Sequence, residues 1–566
     1  MMKKNAIALS VAALVGGLGF AGGASANAIA AIGGGGGTGT AGTPPSLAIN
    51  LQINNGGIGH SLLVPYYTVQ NGNSTLINVV NTDTVNGKAV KVRFRGASNS
   101  DDVFDFQLYM SPGDHWSASI SQAADGRAAL YTEDKSCTLP ADINRPFVLD
   151  RLPASLDADG KAAQTREGYV EIFNMADIPP RFIQPTLLYD NTKANPLYTA
   201  IKHVNAVPPC GDALNALSQN PTTEVEAAAL GLQAPTAGLF GNFSIVNMQG
   251  AATSWTGEAT SILATLSDTT VDDAPFASTG NIVFFPQTGA TAPDPDFYTA
   301  DPSLRTTASS APGGVQNGAG LATPVSTPVI QAAMFDLPDM STPYINDVGT
   351  VVAPLIQAAS LTQAIARTSI SNEYLTEPGI QGATDWVFSM PTRRYSVAVD
   401  YRPSGFVRVY SNLGQSGVFN GRDYFNASNT SLNAGQVCVS ADALRTYDRE
   451  ESTSTSGFVI SPGTASVLRF CGEVSVLSFN AGGVGSTNPS VLGAMLARQD
   501  LDAGYNDGWA KVTTNGISGY GLPILGRAYV KATNPAIAQD KSANFGGSWE
   551  HRFTKSAVPT LPPVGP

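Results

Sequence analysis

The sequence predicts an all-β, mainly antiparallel protein: two β-sandwich-like parts with long loops and one or a few short helices. Three observations lead there. Short runs alternate apolar and polar residues with a period of two, as where Val90, Val92 and Phe94 interleave with Lys91, Arg93 and Arg95; this is the pattern of a strand with two unlike faces. Turn dipeptides such as Asn86-Gly87 and Asn515-Gly516 separate these runs, because both residue types tolerate positive φ. Helical spacing is confined to a few stretches. No repeat of fixed period runs through the chain, which argues against a solenoid or a propeller.

The elements follow in order. Residues 1–26 read as a cleaved secretory signal: Lys3 and Lys4, an apolar run from Ala6 to Phe20 broken by glycines, then the small-residue site Ala24-Ser25-Ala26. Residues 27–45 form a Gly-rich linker. Residues 46–286 are expected to build the N-terminal β-sandwich-like domain. Its first strand holds Leu62 to Tyr67, where Pro65 suggests an edge or a strand end. Leu76 to Asn81 follows, then a hairpin signal at Asn86-Gly87 and the Val90 strand. Phe104, Phe106, Leu108 and Met110 alternate next, Ser111 to Asp114 make a turn, and Trp116, Ala118 and Ile120 resume. This reads as a meander with one wet face. Further strands are expected at Gly168 to Asn174, Asn242 to Met248 and Asn281 to Pro286.

Residues 287–383 are expected to be a Pro/Thr/Ser-rich loop and a helical connection. Its helix spans Val351 to Arg367, with Val351, Leu355, Leu361 and Ile365 near one face; Gly211 to Gln219 and Thr222 to Leu232 could form shorter helices. Residues 384–566 form the C-terminal β-rich domain, with strands near Trp386, Tyr395 to Tyr401, Val407 to Tyr410, Leu468 to Val476, Trp509 to Val512, Ala528 to Lys531 and Ser548 to Phe553.

Composition narrows the function. Only 13% of the residues are charged, against about 25% in an average soluble domain. The net charge of −12 opposes a phosphate backbone, so nucleic acid is not an expected partner. No window beyond the signal offers 18 unbroken apolar residues, so no transmembrane helix is expected in the mature chain. An outer-membrane barrel is disfavoured by the Pro-rich ending VPTLPPVGP. In an exported chain, Cys137, Cys210, Cys438 and Cys471 read as two disulfides. The sequential pairing, Cys137 with Cys210 and Cys438 with Cys471, keeps each bridge within one half.

Chemistry is sparse. The four histidines, His60, His115, His203 and His551, show no metal-pair spacing, and no GxSxG elbow is present. Carboxylates that could serve a glycosidase are Asp105, Glu171, Asp385, Glu473 and Glu550; Asp105 is expected to face Lys91 or Arg93 across the sheet. Asp157, Asp159 and Glu167 form a fragment of a calcium loop, and Asp272-Asp273 and Asp294-Pro295-Asp296 are further acidic tips; Ca2+ is the cofactor these acids would suit, and solvated turns are the preferred reading. In the stretch Thr384 to Tyr395, Trp386 with Arg393 and Arg394 could hold an anionic or sugar ligand. The structural reading is preferred: a core strand whose Asp385 and arginines join the two domains.

Several phrases resemble exported proteobacterial cell-surface proteins of unassigned activity: GHSLLVPYYTVQNGNSTLINVVNTD (Gly59 to Asp83), KAVKVRFRGASNSDDVFDFQLYMSPGD (Lys88 to Asp114), GYVEIFNMADIPP (Gly168 to Pro180), NEY (Asn372 to Tyr374), TDWVFSMPTRRY (Thr384 to Tyr395), YDREE (Tyr447 to Glu451) and NFGGSWEHRF (Asn544 to Phe553). The resemblance implies an exported surface protein and carries no catalytic residue across. The expected role is therefore a structural or interaction protein of the cell surface (surface-layer, matrix or adhesin-like), without catalysis. Self-association or a cell-envelope glycan is its expected partner. The alternative is a secreted carbohydrate-binding module or glycan-active enzyme using strand-borne carboxylates. Residence is expected outside the cytoplasm, at the cell surface, in the medium or in the periplasm.

Overall fold

The computed structural model describes residues 48–265 and 353–555, apart from 49, 150–151, 182–192, 216, 218–228, 249–251, 402–405, 411–423, 443, 455–467, 481–489, 503, 518 and 535–543. The expected signal, linker, Asn281 to Pro286 strand and 287–328 loop, residues 222–228 of a proposed helix, and the acidic tips at 272–273 and 294–296 lie outside the described residues.

The N-terminal part runs β1 (Asn50–Ile53), β2 (Ser61–Thr68), β3 (Asn73–Asn81), β4 (Gly87–Gly96), β5 (Asp102–Met110), β6 (His115–Gln122), β7 (Ala128–Tyr131), β8 (Cys137–Leu139), β9 (Glu167–Ile178), β10 (Leu239–Asn247), β11 (Thr253–Glu258) and β12 (Thr260–Thr265). These strands form two antiparallel sheets, one in the order β1-β12-β2-β9-β4-β5-β8 and one in the order β11-β10-β3-β6-β7. The expected meander is corrected here. β3 and β4 lie in different sheets, so Asn86-Gly87 belongs to a crossover and closes no hairpin; β5 and β6 also change sheets across Ser111 to Asp114. Side chains hold the first crossover: Asp83 accepts from the amides of Val85 and Asn86, and Asn81 donates to the carbonyls of Asn86 and Ser111. Such bonds satisfy a backbone that has left its ladder. Pro65 lies inside β2, between β12 and β9, where the register with β9 shifts between Val64 and Tyr67. Pairing with β12 ends at Leu63, so the missing N–H falls past that ladder and within the β9 irregularity.

The C-terminal part runs β13 (Ala366–Arg367), β14 (Ser369–Leu375), β15 (Ala383–Ser389), β16 (Val397–Asp400), β17 (Val407–Tyr410), β18 (Thr430–Asn433), β19 (Gln436–Ala441), β20 (Arg445–Tyr447), β21 (Thr453–Ser454), β22 (Leu468–Cys471), β23 (Val474–Asn480), β24 (Arg498–Asp502), β25 (Asp507–Thr513), β26 (Leu522–Pro523), β27 (Leu525–Thr533), β28 (Asn544–Glu550) and β29 (Arg552–Thr554). Its two five-stranded sheets have the orders β24-β23-β15-β27-β28 and β21-β20-β25-β14-β29. Pairing is antiparallel except between β23 and β24. β14 precedes residue 384 and is nevertheless an inner strand of the C-terminal part, paired with β25 and β29.

Helices are short: Ala158–Gln164, Pro196–Ile201, Gly211–Asn215 and Ala353–Ile365 are described. The last falls where the apolar spacing placed it, with Leu361 and Ile365 buried. Cys137 is bonded to Cys210, and Cys438 to Cys471; the second pair faces across adjacent strands β19 and β22.

One apolar core fills the N-terminal sandwich and continues into Val387, Tyr395, Val474, Val476 and Tyr529 of the C-terminal part. A second surrounds Trp386, Phe388, Leu477, Phe479 and Ala528. Neighbouring residues on β15 thus enter different cores. Alternation across one strand makes the β15 sheet a middle layer, apolar on both faces.

Candidate functional site

The polar face of β4 is dry. All ten residues of β4 and all twelve of β9 are buried, which corrects the expected wet face. Asp105 pairs with Lys91, and with Arg93 at 3.4 Å, as the cross-strand reading anticipated. Burial lowers the Lys91 ammonium to about 8 even with this partner. Burial of a charge is tolerable only when it is paired and hydrogen-bonded.

Two of the proposed carboxylates meet at the seam between the halves. Arg95 Nε lies 3.4 Å from Glu171 Oε2, and Arg394 Nη2 donates to Glu171 Oε1 at 3.2 Å. Arg393 Nε pairs with Glu473, whose Oε1 accepts from the Arg394 amide at 3.1 Å. A glycosidase pair needs room for a sugar and, in one class, a water between its acids. Glu171 and Glu473 are both 0% exposed and flank one arginine, so the arrangement holds two β layers together.

The turn between β4 and β5 enters the same seam. The Ala97 carbonyl accepts from the amides of Glu473 at 2.7 Å and Val474 at 3.0 Å, and Gln436 donates to Ser98 at 2.8 Å. Tyr401 donates to Asp101 at 2.9 Å, and burial pushes the Asp101 carboxyl up to about 7. Glu167, part of the calcium-loop fragment, accepts from the amides of Met495, Leu496 and Ala497 and from the Tyr66 hydroxyl; burial raises its carboxyl. Asp157 instead caps the helix Ala158–Gln164 through the Gly160 amide at 2.8 Å. These acids are not brought together.

Asp385 pairs with Ser490 and the Leu492 amide rather than with the arginines, and burial raises it. Trp386 is fully buried and donates to the Glu373 carbonyl at 2.9 Å. The core-strand reading of Thr384 to Tyr395 therefore describes its packing, with Arg394 as the inter-half contact. Glu550 is exposed at the end of β28.

Among the histidines, His551 is the one enclosed by aromatic rings, stacked on Phe388 with centroids 4.8 Å apart. Its Nε2 donates to the Val387 carbonyl at 2.9 Å while Nδ1 accepts from Asn372 at 3.0 Å. Burial depresses it to about 3, so it is neutral and its tautomer is set by those partners. His60 Nδ1 accepts from the Ala264 amide at 3.1 Å, His203 lies 3.2 Å from Ser111 Oγ, and His115 is exposed at the start of β6.

A groove of about 460 Å³ runs between β1, the end of helix Ala353–Ile365 and β29. Its cations Arg367 and Lys555 both donate to the Ala364 carbonyl, at 3.1 and 2.7 Å. They compensate the negative end of the helix. Arg367 also covers the Phe553 ring at 3.7 Å.

A different character marks the outer face of the β14–β25 sheet. Along β25, Ala510 and Val512 are buried while Trp509 and Lys511 are exposed. Cross-strand partners share a face, so register defines two outward rows. One runs Thr453, Tyr447, Trp509, Glu373. The other runs Arg445, Lys511, Ser371, Arg552. Tyr447 and Trp509 stack with centroids 4.2 Å apart and planes 7° from parallel, yet Trp509 remains 41% exposed. Arg445, Lys511 and Arg552 are exposed and have no ion-pair partner among the described residues. No family model, no curated protein and no solved structure matches this chain.

No sequence motif marks this face, although the alternation in Trp509-Ala510-Lys511-Val512 already puts the tryptophan and the lysine on one side. Their cross-strand companions, Tyr447 and Arg445, lie more than 60 residues earlier, and only register supplies them. Rings on a sheet with flanking donors can stack on a ligand and hydrogen-bond its edge.

Proposed function

We propose that this protein is exported and acts at the cell surface as a structural or interaction component, making its contacts through the outer face of the β14–β25 sheet. The observation that carries the reading is that face: the exposed Trp509 stacked on the half-buried Tyr447, beside three cations without an ion-pair partner among the described residues, in a chain of net charge −12. Exposed aromatic residues with a polar rim are the composition of recognition surfaces. Two disulfides support an oxidising compartment. Among the described residues no helix is long and apolar enough to cross a membrane. The buried acids support a scaffold over a catalyst, since Glu171, Glu473 and Asp385 each have a structural partner.

Cell fractionation combined with protease treatment of intact cells tests the reading. Recovery outside the cytoplasm and digestion without lysis are the expected results. Cytoplasmic recovery, with the four cysteines reduced, would overturn it.

A further inference from the structure

We infer that the outer face of the β14–β25 sheet binds an acidic polysaccharide, a glycan carrying carboxylates along its length; the inference rests on the surface-exposed role proposed above. Neighbouring strands lie about 4.8 Å apart and successive outward residues on one strand about 7 Å. The aromatic row and the cationic row therefore run parallel across the strands, each about 14 Å long. A sugar chain laid across the strands would meet both at once. The C–H face of a pyranose packs on the face of the Trp509 ring that Tyr447 leaves uncovered, and carboxylates on the chain's edge meet Arg445, Lys511 and Arg552.

Three further features support this occupant. Arg445 stands directly opposite Lys511, and like charges opposed across a sheet destabilise it; a bound anion removes that repulsion. Glu373 ends the aromatic row opposite Trp509, Asp507 pairs with Arg449 at 3.4 Å, and the cationic row of Arg445, Lys511, Ser371 and Arg552 contains no carboxylate. The small neighbours Ser371 and Thr453 keep the face flat and polar.

Other polyanions fit less well. Anchoring in a lipid surface requires a broad apolar face or wedge, whereas Trp509 is surrounded by polar residues. Nucleic-acid affinity grows with the number of phosphates neutralised, and duplex DNA carries one charge per about 1.7 Å, a density that three cations spread over about 14 Å do not match.

Affinity electrophoresis or calorimetry of the purified disulfide-bonded protein with polygalacturonate tests the inference, with dextran, phosphatidylglycerol vesicles and single-stranded DNA in parallel. The expected result is salt-sensitive binding to polygalacturonate and none to dextran. The triple variant Arg445→Ala/Lys511→Ala/Arg552→Ala should weaken it about 30-fold, at about threefold per exposed cation. Lys511→Glu and Trp509→Ala, single surface changes, provide the same test if the triple variant misfolds; each should weaken binding severalfold with the melting temperature unchanged. Absence of binding, binding indifferent to these substitutions, or binding to vesicles or DNA in preference to polygalacturonate would overturn the inference. A protein found at the surface that fails to bind polygalacturonate refutes the ligand and leaves the proposed role standing; a cytoplasmic protein refutes the role itself.

Discussion

Arg394 of the C-terminal half donates through Nη2 to Glu171 Oε1 of the N-terminal half at 3.2 Å, and both side chains are closed to solvent. The same arginine presents its backbone amide to Glu473. One residue thus ties a strand of the N-terminal sandwich to the turn between β22 and β23. Removing one member of a buried pair leaves the other charge uncompensated, at a cost of about 3–5 kcal/mol. Arg394→Met and Glu171→Gln should each lower stability by roughly that amount in denaturant unfolding. The double variant Arg394→Met/Glu171→Gln should lose less than the sum of the singles. Additivity would mean that the two side chains do not interact.

Gly472 lies between the Cys471 bridge and Glu473 with φ of +86°, and a Cβ there would stand 2.7 Å from the Ala97 carbonyl oxygen. That oxygen already accepts two hydrogen bonds from the C-terminal half. Gly472→Ala should destabilise by about 1–3 kcal/mol, from left-handed backbone strain together with displacement of the turn. Gly113→Ala serves as the control: it too has positive φ, but open space where the Cβ would sit. Equal losses in melting temperature would show that backbone strain accounts for the whole effect and that the seam contact adds nothing.

Two buried groups should give opposite pH dependences. His551 is depressed to about 3 when folded, against about 6.5 unfolded. Between these values the unfolded chain holds the extra proton, so the contribution of His551 is complete above about 6.5 and falls as the pH drops. From pH 6.5 to 5 the loss is about 2 kcal/mol, and His551→Gln should lose stability less steeply over that interval.

Asp101 is pushed up to about 7 by burial, against about 3.9 unfolded. Here the folded state holds the proton, so stability from this group is present below about 4 and is lost as the pH rises towards 7. Asp101→Asn, which keeps an oxygen for the Tyr401 hydroxyl, should therefore compare best with the parent near pH 7. A stability difference that stays constant from pH 4.5 to 7 would contradict the burial of a titrating carboxyl.

The strands were legible because their side chains alternate, and Val90, Val92 and Phe94 pack in the core as that alternation requires. The dryness of the opposite face was not, because its partners are remote: Glu171 meets Arg394, 223 residues away. A period of two says which residues share a face and is silent on what covers it. The sheet change at Asn86-Gly87 was hidden for a related reason, since a turn dipeptide reports local φ preference and not the strand that follows. Phrases singled out in the sequence, among them KVRFRGASNSDD, GYVEIFN and TDWVFSMPTRRY, converge at the seam and owe their distinctiveness to construction. The outer face lay outside those phrases except at Tyr447, Glu373 and Arg552, and cross-strand register assembled it.

The most direct measurement is accessibility of the outer β14–β25 face on living cells. The four native cysteines are paired, so Thr453→Cys introduces one thiol on the outer face and keeps all three cations. A membrane-impermeant maleimide should label this variant on intact cells of the native host, and prior addition of polygalacturonate should protect it. Labelling only after lysis would contradict a contact face presented outside the cell.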